Sequence, residues 1–180
     1  MWEAPMRHSL PPQEGIEAAP PNLAETLFDA SDEIYGAPNL KAACATALDV
    51  VMKLVPCEAG SVLRGSRDDG FLTFIACAGP AGEQLVGKKM YFGQGVVGAS
   101  FDLGITIQVQ DVASDARHLS RFDKETGFRT KSVLCTPLRS ENAVYGAFEL
   151  INPTLGRFSP WHVEVLETIG RQLAQLLSPR

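Results

Sequence analysis

TGFRTKSVLCTPLRSENAVYGAFELIN, residues 126–152, carries the strongest structural signal in this chain. Ser132–Leu138 and Ala143–Ile151 are rich in β-branched and apolar residues, and the polar segment Arg139–Asn142 joins them, which predicts a hairpin. Because both runs are apolar on both faces, they are predicted to be central strands covered on each side. Pro137 cannot donate to the strand ladder, so we expect a bulge or an unpaired edge there.

One charged residue interrupts this apolar pattern. Glu149 lies among Phe148, Leu150 and Ile151, where a carboxylate is costly unless a partner satisfies it. It is either a structural acceptor at a strand end, paired with a backbone N–H or a lysine, or a carboxylate that faces a pocket. Both interpretations stay open at the level of sequence.

Helices are predicted at both ends of the chain. Residues 1–21 are rich in Pro, Glu and small side chains without apolar periodicity, which predicts a disordered N-terminal arm. Capping residues and apolar spacing predict helices at 22–36 and 39–56, and Ser159-Pro160 begins a last helix. Antiparallel strands between terminal helices indicate an α+β domain, with those helices on one sheet face and the long crossover segments on the other.

Four further strands are predicted, at residues 58–64, 71–78, 88–92 and 105–109. Gly93–Gly98 precedes a short helix that ends near Leu103. A phosphate-cradling loop is one interpretation, and glycines for a turn and close packing is the other; without a βαβ unit it is not a dinucleotide fingerprint. Asp111–Arg129 is long and polar, with a helical turn expected near 119–124, and loops of this length are usually functional or mobile.

Composition narrows the class of protein. The chain has 180 residues, 45% hydrophobic and 21% charged, with a net charge of −5, which suits one soluble domain. A basic stripe, a membrane-spanning apolar run and a secretory signal are all missing from the sequence, so neither nucleic acid nor a membrane is an expected partner. The four cysteines are scattered in apolar contexts without metal-ligand spacing, which favours buried thiols of a cytosolic protein and no metal site.

Several short motifs in a consistent order resemble GAF domains, chiefly those of cyclic-nucleotide phosphodiesterases and bacterial signalling proteins. The resemblance extends over residues 22–177, taken as a single domain, and its motifs are Glu58–Val62, Phe92–Gly98, Val109–Val112, Thr126–Thr130, Val133–Leu138 and Val144–Asn152. It implies a GAF-like α+β fold. A central antiparallel sheet of about six strands would carry terminal helices on one face, and short helices and the long loop would cover a pocket on the other.

The resemblance also implies a ligand site beneath the long loop. Its candidate ligand-binding residues are Ser61, Ala76, Cys77, Phe92, Val96, Val97, Asp123, Thr126, Phe128, Thr130 and Glu149. Hydroxyls and the N–H groups at a short helix start suit an anion such as a cyclic phosphate. The candidate ligands are therefore a cyclic nucleotide or another small metabolite.

Two departures from the family pattern argue against ordinary cyclic GMP affinity. Ala76 and Cys77 stand where purine-reading domains have an aromatic–acid pair. Pro153 replaces the lysine, and His162 and Val163 replace the acidic pair, of a signature that clamps the loop connection. We therefore expect a pocket with altered ligand preference.

Enzymatic chemistry finds little support. None of His8, His118 and His162 belongs to a recognisable nucleophile–base motif with a Ser or Cys, and His118 is interpreted as an exposed loop residue rather than a base or a haem ligand. GAF-like methionine sulfoxide reductases carry cysteines at positions that align with Gly87 and Val97 here, so that mechanism lacks its thiols. A cysteine for bilin attachment has no evident equivalent either.

The expected function is that of a stand-alone cytosolic sensory or regulatory GAF module, which binds a small molecule and signals through dimer or partner contacts. The alternative is an interaction or dimerisation module with a vestigial, ligand-free pocket. A homodimer is expected because the end of the last helix would project past the sheet and leave Leu173, Leu176 and Leu177 in water, and a two-fold bundle of terminal helices would bury them. A signalling protein is a further candidate partner.

Overall fold

The structure is a computed structural model that describes residues 17–65, 67–141 and 143–179. Most of the predicted N-terminal arm, including His8, lies outside the described residues. The helices are α1 (Leu23–Tyr35), α2 (Leu40–Leu54), α3 (Gly82–Leu85), α4 (Gly95–Leu103), α5 (Arg121–Thr126) and α6 (Pro160–Leu177). The strands are β1 (Cys57–Arg64), β2 (Phe71–Ala78), β3 (Lys89–Tyr91), β4 (Ile107–Val109), β5 (Val133–Ser140) and β6 (Ala143–Pro153).

The strands form one six-stranded antiparallel sheet in the order β3-β2-β1-β6-β5-β4. The predicted hairpins β1–β2 and β5–β6 are both present, and β6 pairs with β1 on one side and with β5 on the other. The register between β5 and β6 shifts between Pro137 and Arg139, so the irregularity expected at the proline is confirmed.

One face of the sheet is covered by α1, α2 and α6. Buried side chains of these helices pack against the β-strand residues Val62, Leu134, Phe148 and Leu150. The Asn39 side chain caps α2 by accepting a hydrogen bond from the Ala42 N–H at 2.9 Å. These helices thus form the layer that the sequence predicts, and no helix among the described residues combines the length and apolarity needed to cross a bilayer.

The start of α6 shows what replaces the acidic pair of the family signature. The His162 ring lies almost fully buried, and its Nδ1 accepts a hydrogen bond from the Ser159 backbone N–H at 2.9 Å. This contact satisfies a backbone donor at the helix start, as a side-chain cap does. His162 therefore has a structural partner within its own helix.

The opposite face is covered by α3, α4, α5 and the segment between β4 and β5. A second core forms there around Leu63, Phe74, Phe101, Cys135 and Ala147. Two details go beyond the sequence expectation: α3 lies between two predicted strands, where no helix was predicted, and α5 is a complete short helix within the long loop. Both are short helices, whose stability comes from packing against the sheet more than from local propensity.

The leucines at the end of α6 are not left in water. Leu173 is 0% exposed and Leu177 6% exposed, both within the core of their own chain, and Leu176 packs against the same core. The expectation that these side chains project beyond the sheet is therefore wrong, because α6 lies flat on the sheet along its length. The homodimer stays a prediction and now lacks this support.

Candidate functional site

A partly open cavity lies between the sheet and the second layer. It leaves about 80 Å³ for the centres of water-sized spheres, several times the space that one water molecule requires. Strands β1, β2 and β6 form its floor, α3 and α4 two of its walls, and α5 with the preceding loop its roof. Its lining is Ala59, Ser61, Phe74, Ala78, Ala81, Gly82, Leu85, Met90, Gly95, Val96, Val97, His118, Leu119, Phe122, Asp123, Thr126, Phe128, Thr130, Val133, Glu149 and Ile151.

A row of polar side chains crosses the sheet beneath this cavity, and its two middle members, Ser61 and Glu149, line the cavity. Cys77 pairs in register with Ser61, Ser61 with Glu149, and Glu149 with Cys135. Side chains at paired positions of neighbouring strands lie on the same face of a sheet. The sheet thus places two thiols, a hydroxyl and a carboxylate side by side beneath the roof.

Glu149 is the carboxylate of that row, and it faces the cavity. Its side chain is partly exposed, and it is one of the residues that line the cavity. The Cys135 thiol lies 3.8 Å from its Oε1. Burial raises the pKa of Glu149 to about 7, against a small opposing effect of the Cys135 contact and with a further increase from the Asp123 charge. Of the two interpretations of Glu149, the pocket-facing one describes its position.

Asp123 organises the roof. Its carboxylate accepts hydrogen bonds from the Thr130 N–H at 2.8 Å and from the Thr130 Oγ1 at 2.7 Å. The His118 Nε2 lies 3.7 Å from the same group. Asp123 therefore ties α5 to the segment that enters β5, and it does so at the border of the cavity.

The outer side of α5 is held by exposed polar contacts. The Lys88 Nζ lies 2.6 Å from Glu125 Oε2, and the Arg121 Nη2 donates to the Lys89 carbonyl oxygen at 3.1 Å. The Arg121 guanidinium also lies 4.6 Å from the centre of the Phe122 ring. Exposed contacts of this kind are weak, so the outer side of α5 is held by bonds that exchange easily with water.

Asn152 fastens the residues between α5 and β5 to the sheet. Its Oδ1 accepts hydrogen bonds from the N–H groups of Lys131 and Ser132 at 2.7 and 3.1 Å. Its Nδ2 donates to Glu58 Oε2 and to the Arg129 carbonyl oxygen, both at 2.9 Å. The residue is buried and has a left-handed backbone with φ of 56°, which asparagine tolerates better than most residues.

Most of the predicted site residues lie together on the cavity wall, and three do not. The lining contains Ser61, Val96, Val97, Asp123, Thr126, Phe128, Thr130 and Glu149. Ala76 points to the other sheet face and packs in the core with the terminal helices, so its placement in the site is wrong. The Cys77 thiol lies beside Ser61 but does not line the cavity, and Phe92 packs against Phe101 with ring centres 4.7 Å apart.

Alternation within β2 explains part of this correction. Adjacent strand residues face opposite sides of a sheet, so Ala76 and Cys77 cannot both face the cavity. A register shift between β1 and β2, at the pairs Val62↔Ala76 and Leu63↔Phe74, inserts an extra residue into β2. The bulge turns Phe74 towards the cavity, which its spacing from Cys77 alone would not allow.

Sequence reasoning also missed side chains of the roof. Leu119, Phe122 and His118 line the cavity, and the His118 side chain is 20% exposed, so its interpretation as an exposed loop residue is wrong. The apolar Leu119 and Phe122, three residues apart, were the available signal for a short amphipathic helix in this loop.

The cysteines show no sign of activation. All four are free, and burial raises the pKa of Cys44, Cys57 and Cys77 to about 11 and that of Cys135 well above its usual range. A thiol in this state has little thiolate at neutral pH and is a poor nucleophile. None of the four is part of the described cavity lining, and no group of His, Cys, Asp and Glu in the described residues could hold a metal ion.

The position of Glu149 predicts a pH-dependent stability. Its folded-state pKa of about 7 lies above the ordinary value of 4.5, so the folded protein holds a proton that the unfolded chain releases in that range. Stability is therefore lost as the pH rises from 4.5 through 7. Glu149→Gln should unfold like the wild type at pH 5 and should be more stable than it at pH 8, by up to about 3 kcal/mol.

Urea denaturation at a series of pH values measures this difference. Glu164→Gln is the matched control, because Glu164 is exposed on α6 and loses the same charge. A gap between the Glu149→Gln protein and the wild type that stays constant or shrinks towards pH 8 would contradict the assignment of a buried, cavity-facing carboxyl.

A family model for the GAF domain matches residues 39–177. The chain belongs to the GAF domain family. Solved structures agree: the GAF domain of a phosphoenolpyruvate-protein phosphotransferase from Coxiella burnetii superimposes with a TM-score of 0.77 at 20% identity, covering 86% of this chain and 91% of that one. The GAF-like fold implied by the sequence motifs is thus confirmed.

Relatives of this GAF domain include cyclic-nucleotide phosphodiesterases. A cGMP-specific 3',5'-cyclic phosphodiesterase of Drosophila ananassae is 29% identical over 150 residues, covering 78% of this chain and 11% of that protein. Across five phosphodiesterases of this kind, the chain spans 7% to 11% of the relative's length.

The same fold also occurs in an enzyme. A free methionine-R-sulfoxide reductase from Neisseria meningitidis, solved with its substrate, has a TM-score of 0.73 at 18% identity, covering 90% of this chain and 93% of that one. At this identity the likeness concerns the fold alone. The GAF family is mostly regulatory and often binds small molecules, and it also contains reductases.

Proposed function

We propose that this GAF domain is a sensory module that binds a small molecule in the cavity and transmits binding through its roof. The observation that carries the proposal is Glu149, a carboxylate on the floor of the cavity. Its one close polar contact among the described residues is the Cys135 thiol. A buried carboxylate so poorly paired costs stability. Such a cost is characteristic of groups kept for binding rather than for folding.

The roof provides a means of transmission. Its outer contacts, Lys88 with Glu125 and Arg121 with the Lys89 carbonyl, are exposed and easily exchanged. A ligand beneath α5 would contact Phe122 and Asp123 from inside and so bias the position of the helix. The exposed surface of α5 and β3 would then differ between the free and bound states, which a partner protein can read.

A regulatory role is favoured over a redox enzyme by the thiols. A sulfoxide reductase of this fold needs a reactive cysteine at its ligand, whereas the cysteines here have raised pKa values and lie outside the described cavity lining. Four free thiols also suit a reducing compartment such as the cytosol. Turnover of free methionine sulfoxide by the purified protein would overturn this assignment.

For output we propose either a homodimer or a signalling partner. The most exposed large apolar side chain of the terminal helices is Phe28 on α1, at 68% exposure, and Tyr35 on the same helix is 46% exposed. An exposed aromatic pair on one helix is a suitable centre for an association surface.

A thermal-shift screen of nucleotides, amines, amino acids and other metabolites tests the proposed function. A ligand that binds only the native state raises the free energy of unfolding by mass action, by about 3 kcal/mol at a hundredfold excess over Kd, and so raises the unfolding temperature. We expect at least one compound to do so, and Glu149→Ala to abolish that shift. Glu164→Ala, on the opposite layer, should retain it. A screen without any stabilising compound would favour the alternative of a ligand-free interaction module.

A further inference from the structure

The charge balance of the cavity lining is uneven. Its described residues include two carboxylates, those of Asp123 and Glu149, and neither a lysine nor an arginine. The remaining polar side chains are Ser61, His118, Thr126 and Thr130, and the rest are apolar or glycine. A ligand with a negative charge would therefore enter a cavity whose described lining has no guanidinium or ammonium to receive it.

Two cations outside the lining are already paired with carboxylates. The Arg117 guanidinium interacts electrostatically with Cys135, at one end of the polar row. Its Nη2 lies 2.6 Å from Asp115 Oδ2, so it already has an ion-pair partner. Lys88 pairs with Glu125 at 2.6 Å on the outside of the roof. Their charges are largely offset by these partners and by solvent, so they do little to neutralise the carboxylates inside.

The two carboxylates differ in how many hydrogen-bond donors they already have. Asp123 already accepts two hydrogen bonds from Thr130. Glu149 has the Cys135 thiol at 3.8 Å, and a thiol is a weak donor. Glu149 therefore has room for a strong donor, and a charged donor would also relieve the cost of its burial.

Aromatic rings complete the lining. Phe74, Phe122 and Phe128 border the cavity, and Phe74 and Phe122 meet edge to face with ring centres 5.2 Å apart. Aromatic faces attract cations and pack well against apolar or aromatic groups. The first turn of α4 is the one element here that favours an anion, with about half a unit of positive charge, and it shares the space with both carboxylates.

We propose that the cavity takes a small ligand that joins a protonated amine to an apolar, preferably aromatic, body. The amine donates to the Glu149 carboxylate at the floor, and the body lies among the phenylalanine rings beneath α5. This inference rests on the proposed function, because it names the ligand class of the same site. It assigns the cavity to cations, in contrast to the cyclic phosphate that the hydroxyls and the helix start suggested.

Three probes of one shape separate the charges: 2-phenylethylamine, 2-phenylethanol and 3-phenylpropanoate. Calorimetric titration at pH 8 should show the amine binding at least tenfold more tightly than the alcohol, and the acid should bind weakest. Glu149→Gln should reduce amine affinity by about tenfold or more and leave alcohol affinity unchanged. Glu164→Gln is the control for lost negative charge and should change neither.

A pH series on the wild type and on Glu149→Gln gives a second readout. The amine stays protonated from pH 6 to pH 8, whereas Glu149, with a pKa of about 7, becomes ionised. Amine affinity should therefore rise about tenfold over this range, and alcohol affinity should not. The other titratable groups around Glu149 are Cys77, Cys135, Asp123 and His118. If His118 caused the rise, it would persist in Glu149→Gln, where we expect it to disappear.

The outcomes separate this inference from the proposed function. Tighter binding of 3-phenylpropanoate or of cyclic GMP than of the amine overturns the inference and leaves a ligand-binding module. The same holds if all three probes fail while the metabolite screen finds an anionic or neutral ligand. Failure of the probes and of the whole screen overturns both.

Discussion

Leu173→Glu is expected to unfold the domain. Leu173 is 0% exposed and lies in the core that α6 shares with the sheet, next to Ile169 and Leu177 in the same buried cluster. The substitution removes the apolar contacts of a leucine. It also places a carboxylate among apolar side chains, which offer no charge to pair with it. We expect a loss of about 5 kcal/mol, which is comparable to the whole stability of a typical domain.

Urea denaturation followed by circular dichroism measures this loss. Phe28→Glu is the matched control, because Phe28 lies on the neighbouring helix α1 but is 68% exposed. It should unfold within about 0.5 kcal/mol of the wild type. A Leu173→Glu protein as stable as the wild type would show that α6 does not pack as described.

The same pair of variants refines the test of the predicted homodimer. An α6 leucine variant cannot report on association if it is unfolded, whereas Phe28→Glu changes a surface residue and keeps the fold. Sedimentation of the wild type beside Phe28→Glu should show a dimer that the charge dissociates. A wild type that sediments as a monomer at micromolar concentration would contradict the homodimer.

Asn152→Ala should be the second most damaging of the changes considered. It removes four hydrogen bonds and leaves the N–H groups of Lys131 and Ser132 without their acceptor. It also forces an alanine into a left-handed backbone. At about 1 kcal/mol for each lost bond, the free energy of unfolding should fall by about 4 kcal/mol.

Two further variants separate the contributions of Asn152. Asn152→Gly keeps the left-handed backbone without strain, so it should recover only about 1 kcal/mol of the loss. Asn152→Asp keeps the acceptor for Lys131 and Ser132 but brings a carboxylate close to Glu58, and it should lie between asparagine and alanine.

Hydrogen exchange of the Lys131 and Ser132 amides reports on the clamp directly. Both should exchange faster in Asn152→Ala and Asn152→Gly, and amides of β1 should stay protected under conditions where the domain is folded. Unchanged protection at residues 131 and 132 would show that the backbone, not the Asn152 side chain, holds this end of the roof.

Local patterns along the chain were enough to locate the framework. The apolar runs of β5 and β6, the capping residues Asn39 and Ser159, and the misfit of Pro137 each act through the backbone of a few neighbouring residues. Those local effects survive folding, so the hairpins and the terminal helices agree with the structure. The short motifs, taken together in their order along the chain, likewise predicted the GAF family.

The site depended on contacts between segments far apart in the chain. Whether Glu149 faced a pocket was open in the sequence, because a strand that is apolar on both faces does not say which side holds a cavity. The pairing of Glu149 with Ser61 and Cys135, and the position of α5 above them, settled it.

The bulge in β2 and the docking of α6 were likewise decided by tertiary structure. Ala76 and Phe74 are two residues apart in β2 and would share one face of a regular strand. The residue inserted between the Val62 and Leu63 pairs breaks this rule, so Phe74 lines the cavity and Ala76 does not. Leu173 is buried because α6 lies along the sheet. The spacing of the apolar residues in α6 is the same whether the helix packs on its own sheet or on a partner chain. Register and docking follow from the packing of whole layers against one another, which no short window of residues contains.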